Sequence, residues 1–203
     1  MKHIHSVRRG FSLMELLVVI AIITILAGLT IAVLSQANQT SGAHRARGEI
    51  AALETALEAY KTENGDYPRC NNTDTLDASR NDSTNSVVIS GGVPSLSGSA
   101  SMTLYVNLSG DKTRLGTKNP NERVYFTFKS NMLYPRVPAG ETRSSPIQAV
   151  IDPFRNVYGY STRGSSVAAV SNTSTTTSFG YNPTFDLWST VGSDSTSAWV
   201  TNW

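Results

Sequence analysis

One carboxylate in this chain stands where a carboxylate is costly. Glu15 opens a run, residues 16–34, that holds no charged side chain and is otherwise Leu, Ile, Val and Ala except for Thr24, Gly28 and Thr30. A charge costs on the order of 2.5–3.5 kcal/mol at the centre of a bilayer on insertion scales, and less near the interface. A residue kept at such a cost needs a partner. If the chain were cut after Gly10, the new α-amino group of Phe11 would lie one helical turn from Glu15 and supply the missing positive charge, within the chain or to a neighbouring copy.

The other chemistry-bearing residues are sparse. Cys70 is the single cysteine, which excludes an intramolecular disulfide and leaves an incidental thiol in a polar stretch. His3 and His5 precede the apolar run, so His44 is the one histidine beyond it. One His and one Cys do not make a His/Cys zinc site within one subunit. A Ser-His-Asp triad would have to recruit His44 from a helix next to the membrane, and there is no glycine loop for phosphates. The expectation is a chain without an enzymatic activity of its own.

Stepping outward from Glu15, the 19 residues of the uncharged run make about 28 Å of helix at 1.5 Å per residue. A bilayer core is about 30 Å thick. Lys2, Arg8 and Arg9 precede the run with no acid before Glu15, which places the N-terminus on the cytoplasmic side. An ordinary secretory signal would have a core of about 7–15 residues and a small-residue cleavage site. Ser35-Gln36-Ala37 offers such a site, but the core is too long and Glu15 would be left unexplained. Without the first ten residues the chain carries 14 Lys and Arg against 15 Asp and Glu. Bulk attraction to nucleic acid is therefore not indicated.

The helical pattern continues past the span with no proline. Ala43, Ala46, Ile50, Leu53, Leu57 and Tyr60 recur at three- and four-residue spacing, an apolar stripe for one wall of a core. Arg45–Glu49 and Glu58–Lys61 are spaced for side-chain pairs. Gly42 and Gly48 are weak points, each costing about 1 kcal/mol against alanine. Asn64-Gly65 stops the helix, with Gly65 as a left-handed cap and Pro68 blocking its return. The predicted helix runs over residues 12–63. Residues 102–106 and 124–128 are rich in β-branched and aromatic side chains and read as strands. A turn into a strand is expected over 151–160, and further strands at 185–189 and 199–203. Residues 70–100 are polar with one short Val87-Val88-Ile89 run, and 171–178 are all Ser, Thr or Asn; both read as surface loops.

Gly10-Phe11-Ser12-Leu13-Met14-Glu15, behind a basic leader and ahead of an uncharged span, resembles the processing site of type IV pilins and of the pseudopilins of type II secretion. In that family a membrane-embedded prepilin peptidase cuts after the glycine and methylates the new phenylalanine, and the glutamate is needed for assembly. The resemblance thus implies cleavage between Gly10 and Phe11, N-methylation of Phe11 and an assembly role for Glu15. Asn64-Gly65-Asp66-Tyr67-Pro68 resembles the helix end of the major pseudopilins. Residues 151–160 resemble their Asp-Pro-aromatic-Gly-Asn-Pro-Tyr segment, with Arg155 and Val157 in place of the glycine and proline. Residues 185–189 and the closing Asn202-Trp203 resemble their last two strands. Many type IV pilins close a C-terminal loop with a disulfide, which this chain cannot do.

In the major pseudopilins the loop between those strands binds calcium through backbone oxygens and aspartates. Here Asp194 matches the first acidic position, Ser197 and Trp199 stand at the later ones, and Asp186 is nearby: a weak cage for an ion that takes 6–8 oxygens.

The expectation is an α+β fold: a long N-terminal helix, membrane-spanning then amphipathic, packed against a small antiparallel β-sheet headgroup. Residues 1–10 form a leader that is removed, 11–35 the membrane and filament-core helix, 36–64 the amphipathic helix, and 65–203 the headgroup with an expanded loop at about 70–100. The resemblance implies a subunit of a type II secretion pseudopilus, held in the bacterial inner membrane with its headgroup in the periplasm until it enters a helical homopolymer. Its partners would be copies of itself, the prepilin peptidase, minor pseudopilins and the inner-membrane assembly platform. The alternatives are a type IV pilin of a surface filament, a non-polymerising membrane-anchored binding module, and a secreted enzyme released at Ala37.

Overall fold

In a computed structural model the chain is described over residues 11–78, 96–138, 140–165, 180–193 and 195–203. The leader, Val87-Val88-Ile89, residues 171–178 and Asp194 lie outside the described residues. The chain divides into two compact units, Met1–Ser41 and Gly42–Trp203.

Helix α1 spans Leu13–Asn64. It ends as the sequence predicts: Gly65 adopts φ 84° and its N–H donates to the Lys61 carbonyl at 2.8 Å. In the second unit the α1 stripe forms one wall of the core. Ala46, Ile50, Leu53 and Leu57 are buried, with Ala43 and Tyr60 packed at the margin. Each of the larger ones contributes about 1.5–3 kcal/mol by leaving water. Arg45 and Glu49 pair at 3.3 Å. Glu58 and Lys61 do not meet each other. Both turn to the Tyr67 hydroxyl, which donates to Glu58 Oε1 at 2.7 Å and accepts from Lys61 Nζ at 3.3 Å. The helix end is thereby tied to the Asp66-Tyr67-Pro68 turn that follows it.

Two weak points of the helix separate in the structure. A Cβ at Gly48 would meet nothing, whereas one at Gly42 would sit 2.6 Å from the Phe154 ring, which lies against the bare helix backbone there.

The first part of the expanded loop holds a short helix α2, Asn71–Thr75. Helix α3 then spans Leu96–Ser109, and this corrects the strand expected at residues 102–106. The β-branched and aromatic content of that window suggests a strand, but Ala100, Leu104 and Leu108, with Ser101 and Tyr105, recur every four residues and are all buried. A continuous helical stripe against the core outweighs a propensity that spans only about 1 kcal/mol. Residues 124–128 form no ladder either. The N–H groups of Tyr125 and Phe126 both donate to the Leu108 carbonyl at 2.9 Å, so the segment caps the end of α3. Tyr125 packs edgewise on Tyr60 and Phe126 edgewise on Phe128, which also takes the tilted ring of Tyr105.

The strands are short and antiparallel. β1 (Leu133–Tyr134) pairs with β2 (Ala149–Val150). β3 (Gly159–Ser161), β4 (Asp186–Ser189) and β5 (Val200–Thr201) form a three-stranded sheet in that order. Gly159 stands opposite Trp188, and Ser189 opposite Val200. These are the three C-terminal strands the sequence predicts. The architecture is α+β.

Candidate functional site

The site begins at the first turn of α1. Ser12 is its cap: its side-chain oxygen accepts the Met14 N–H at 3.3 Å, and its carbonyl accepts the N–H groups of Glu15 at 3.0 Å and Leu16 at 3.2 Å. Glu15 therefore falls three residues after the cap, at the Ser-x-x-Glu spacing of a capping box, and its carboxylate lies near the positive end of the helix dipole. That spacing was available in the sequence, and the Ser12 hydroxyl supplies the cap at this point.

Beyond it, Leu13–Thr30 is long and apolar enough to cross a membrane, and none of it is buried within the chain. The two hydroxyls that interrupt the run are satisfied inside the helix. Thr24 Oγ1 donates to the Ile20 carbonyl at 2.5 Å, and Thr30 Oγ1 to the Leu26 carbonyl at 2.8 Å. The segment consequently presents no unsatisfied side-chain donor to an apolar surrounding. Phe11 and Glu15 are both exposed, and among the described residues the Glu15 carboxylate has no ion-pair or hydrogen-bond partner. Gly10 lies outside the described residues. What the geometry leaves is a bare apolar rod with one uncompensated negative charge in its first turn.

The calcium candidates are placed differently. Asp186 is 1% exposed at the start of β4, and its oxygens accept the N–H groups of Asn182 at 2.8 Å and Tyr181 at 3.1 Å. Burial pushes its carboxyl above the usual range, and the two N–H groups pull against that. Gly180, at φ 98°, lets the backbone close over Asp186 Oδ2, where a Cβ would collide. Asp186 thus holds the turn before β4, not the loop after it. Asp194 lies outside the described residues. Among the described residues no group of three or more His, Cys, Asp or Glu could hold a metal ion. Of the two candidates the described one, Asp186, is engaged by backbone N–H groups.

Sequence reasoning passed over Asp152, which is 2% exposed and clamps the 151–157 turn to the sheet. Its Oδ1 accepts the N–H groups of Phe154 at 2.9 Å and Asn156 at 2.8 Å, and its Oδ2 accepts the Ser189 hydroxyl at 2.5 Å. An aspartate two residues before the N–H it binds is an Asx turn, legible from Asp152-Pro153. Cys70 is half-buried with its sulfur 3.1 Å from Thr103 Oγ1, and His44 is exposed on α1.

Residues 5–31 match the family model described as "Prokaryotic N-terminal methylation motif". The chain is similar to the type II secretion system core protein G of Escherichia coli (strain K12), 42% identical over 64 residues, which cover 32% of this chain and 44% of that protein. It is also similar to the proteins of the same name from Dickeya chrysanthemi, 39% over 61 residues (30% and 40%), and Aeromonas hydrophila, 42% over 59 residues (29% and 41%). These matches span less than half the length of the curated relatives. No solved structure matches the chain.

Proposed function

We propose that this chain is a structural subunit of a type II secretion pseudopilus and polymerises through its N-terminal helix. The observation that carries this reading is the exposed, apolar Leu13–Thr30 helix whose one charged side chain, Glu15 in its first turn, is unpartnered among the described residues, inside a matched methylation motif. The relatives named as type II secretion system core protein G support it. A soluble subunit gains nothing from such a helix. A polymer gains a core, because each rod buries its apolar surface against its neighbours.

In this reading prepilin peptidase cleaves between Gly10 and Phe11 and methylates the Phe11 amine. The processed chain waits in the inner membrane with its N-terminus cytoplasmic and its headgroup periplasmic. It then passes, with minor pseudopilins, into a filament built at the inner-membrane assembly platform. Its work is mechanical, and it contributes no catalytic group. Mass spectrometry of the mature N-terminus is the test: the expected chain starts at methylated Phe11, and a chain starting at Asn38 overturns the reading, since the helix would be gone. Electron microscopy of sheared cell-surface material, with and without this gene, should show filaments only when the gene is present.

A further inference from the structure

We infer that the connection between β4 and β5 is closed by an indole in place of a metal ion, so that this chain folds and assembles without calcium. After β4, Val191 and Gly192 take φ 48° and 75°, and the Ser193 N–H donates to the Thr190 carbonyl at 2.8 Å. Two successive left-handed residues make this a turn of the kind that favours Asn-Gly. A β-branched residue is strained there, yet the Val191 side chain is held in the main core.

The turn aims the Ser193 carbonyl back along the loop, where Trp199 Nε1–H donates to it at 2.9 Å. Trp199 is anchored from behind. Its ring lies parallel to the buried Trp188 indole, at 6° and 6.3 Å between centroids, an offset stack. Trp188 in turn lies flat on Gly159, its β3 partner, where any Cβ would collide with the indole. The loop is also pinned at its start, where the Ser189 hydroxyl meets Asp152. The Ser193 carbonyl is thus tied to the fold by an N–H donor, with no ion needed to hold it in place. Trp199 occupies a position where the resemblance expects an acid, while Asp186 is spent on the turn before β4. The device that would gather oxygens around an ion is replaced by one that needs no ion.

The clamp itself does not depend on the function proposed above; its consequence for assembly does. The test therefore uses the full-length chain as monomers in detergent micelles, apart from any filament measurement. Thermal melts are taken with excess calcium and with chelator. A true site filled to about 100 times its Kd would raise Tm by about 5–10 °C. The expected result is coincident melts, and a rise of that size overturns the proposal. Trp199→Phe keeps the stack on Trp188 and removes the donor. Amide exchange across residues 190–201 should quicken about 5-fold in this variant, the weight of one hydrogen bond, while residues 42–64 exchange as before. Unchanged exchange over 190–201 overturns the clamp. Filament yield in chelated medium then reads the consequence: filaments as in calcium are expected, and their loss with chelator alone overturns calcium-independent assembly. Absence of filaments in both media counts against the pseudopilus reading and leaves the micelle result standing.

Discussion

The Tyr158 hydroxyl donates to Glu49 Oε2 at 2.7 Å, joining the turn into β3 to the α1 face that carries the core stripe. Glu49 is 8% exposed, and Arg45 Nε stands 3.3 Å from its other oxygen without the alignment of a hydrogen bond. Arg45 is half exposed, so the ion pair alone is worth little. The phenol is the group that makes the carboxylate tolerable there. Tyr158→Phe should destabilise the chain by about 1–3 kcal/mol, the cost of a buried acceptor left without its donor. Adding Glu49→Leu should restore part of that loss, because removing both polar partners costs less than removing one. Melting temperatures of the two variants decide it; equal or greater damage in the double variant would count against this account.

Alkaline stability should fall steeply above pH 10. Tyr158, Tyr160 and Tyr105 are all but fully buried, and burial is the main reason their phenols titrate above the ordinary 10.0. The Glu49 carboxylate adds to this at Tyr158, the charge of Asp66 at Tyr160, and the hydrogen bond to Asp111 at Tyr105. A raised acid pKa means that the folded chain keeps a proton that the unfolded chain loses. The stabilisation is whole below pH 10 and declines as pH rises towards the folded values. Each phenol removes about 1.4 kcal/mol per pH unit in that window, so the three together remove about 4 kcal/mol per unit. Urea unfolding at stepped pH, with tyrosinate absorbance as a second signal, should show this slope. A flat profile between pH 10 and 11 would contradict it.

The two glycines of α1 in the second unit should respond differently to alanine. At Gly48 the added methyl meets nothing, and Gly48→Ala should stabilise by about 1 kcal/mol through helix propensity. At Gly42 the methyl would strike the Phe154 ring, so Gly42→Ala should show no such gain. Thermal melts of both variants compare them directly. An equal gain at both sites would mean that the ring moves aside freely.

Glu15→Gln should leave a processed, folded, membrane-resident chain that enters filaments poorly or not at all. Glutamine keeps the shape and removes the charge, and the headgroup begins some thirty residues further on. In a polymer core the Phe11 amine would lose its counter-ion, and breaking such a buried pair costs on the order of 3–5 kcal/mol. Fractionation should find the variant in the inner membrane, with filaments scarce by microscopy. Normal filaments would refute the charge pair.

Read alone, the sequence determined what depends on neighbours along the chain. Residues 16–34 hold no side chain that can be charged and make a helix long and apolar enough to cross a membrane, and Glu15 stands out against that run. Leu53 and Leu57 share a face by spacing alone, and Gly65 ends the helix because glycine reaches φ 84° without strain. The short C-terminal strands were legible too, from local β-rich windows and from their likeness to a family pattern. Tertiary structure decided what depends on distant partners. Residues 102–106 have strand-like composition, yet they became helix because Ala100, Leu104 and Leu108 meet a core assembled from α1 and the sheet. Residues 124–128 found the end of that helix instead of another strand. Asp152 reaches Ser189, 37 residues away, only because the sheet brings β4 beside its turn, and Trp199 meets the Ser193 carbonyl only because the loop after β4 folds back on itself. A side chain's type restricts the bonds it can make, and only the closed fold decides which oxygen stands within 3 Å of it.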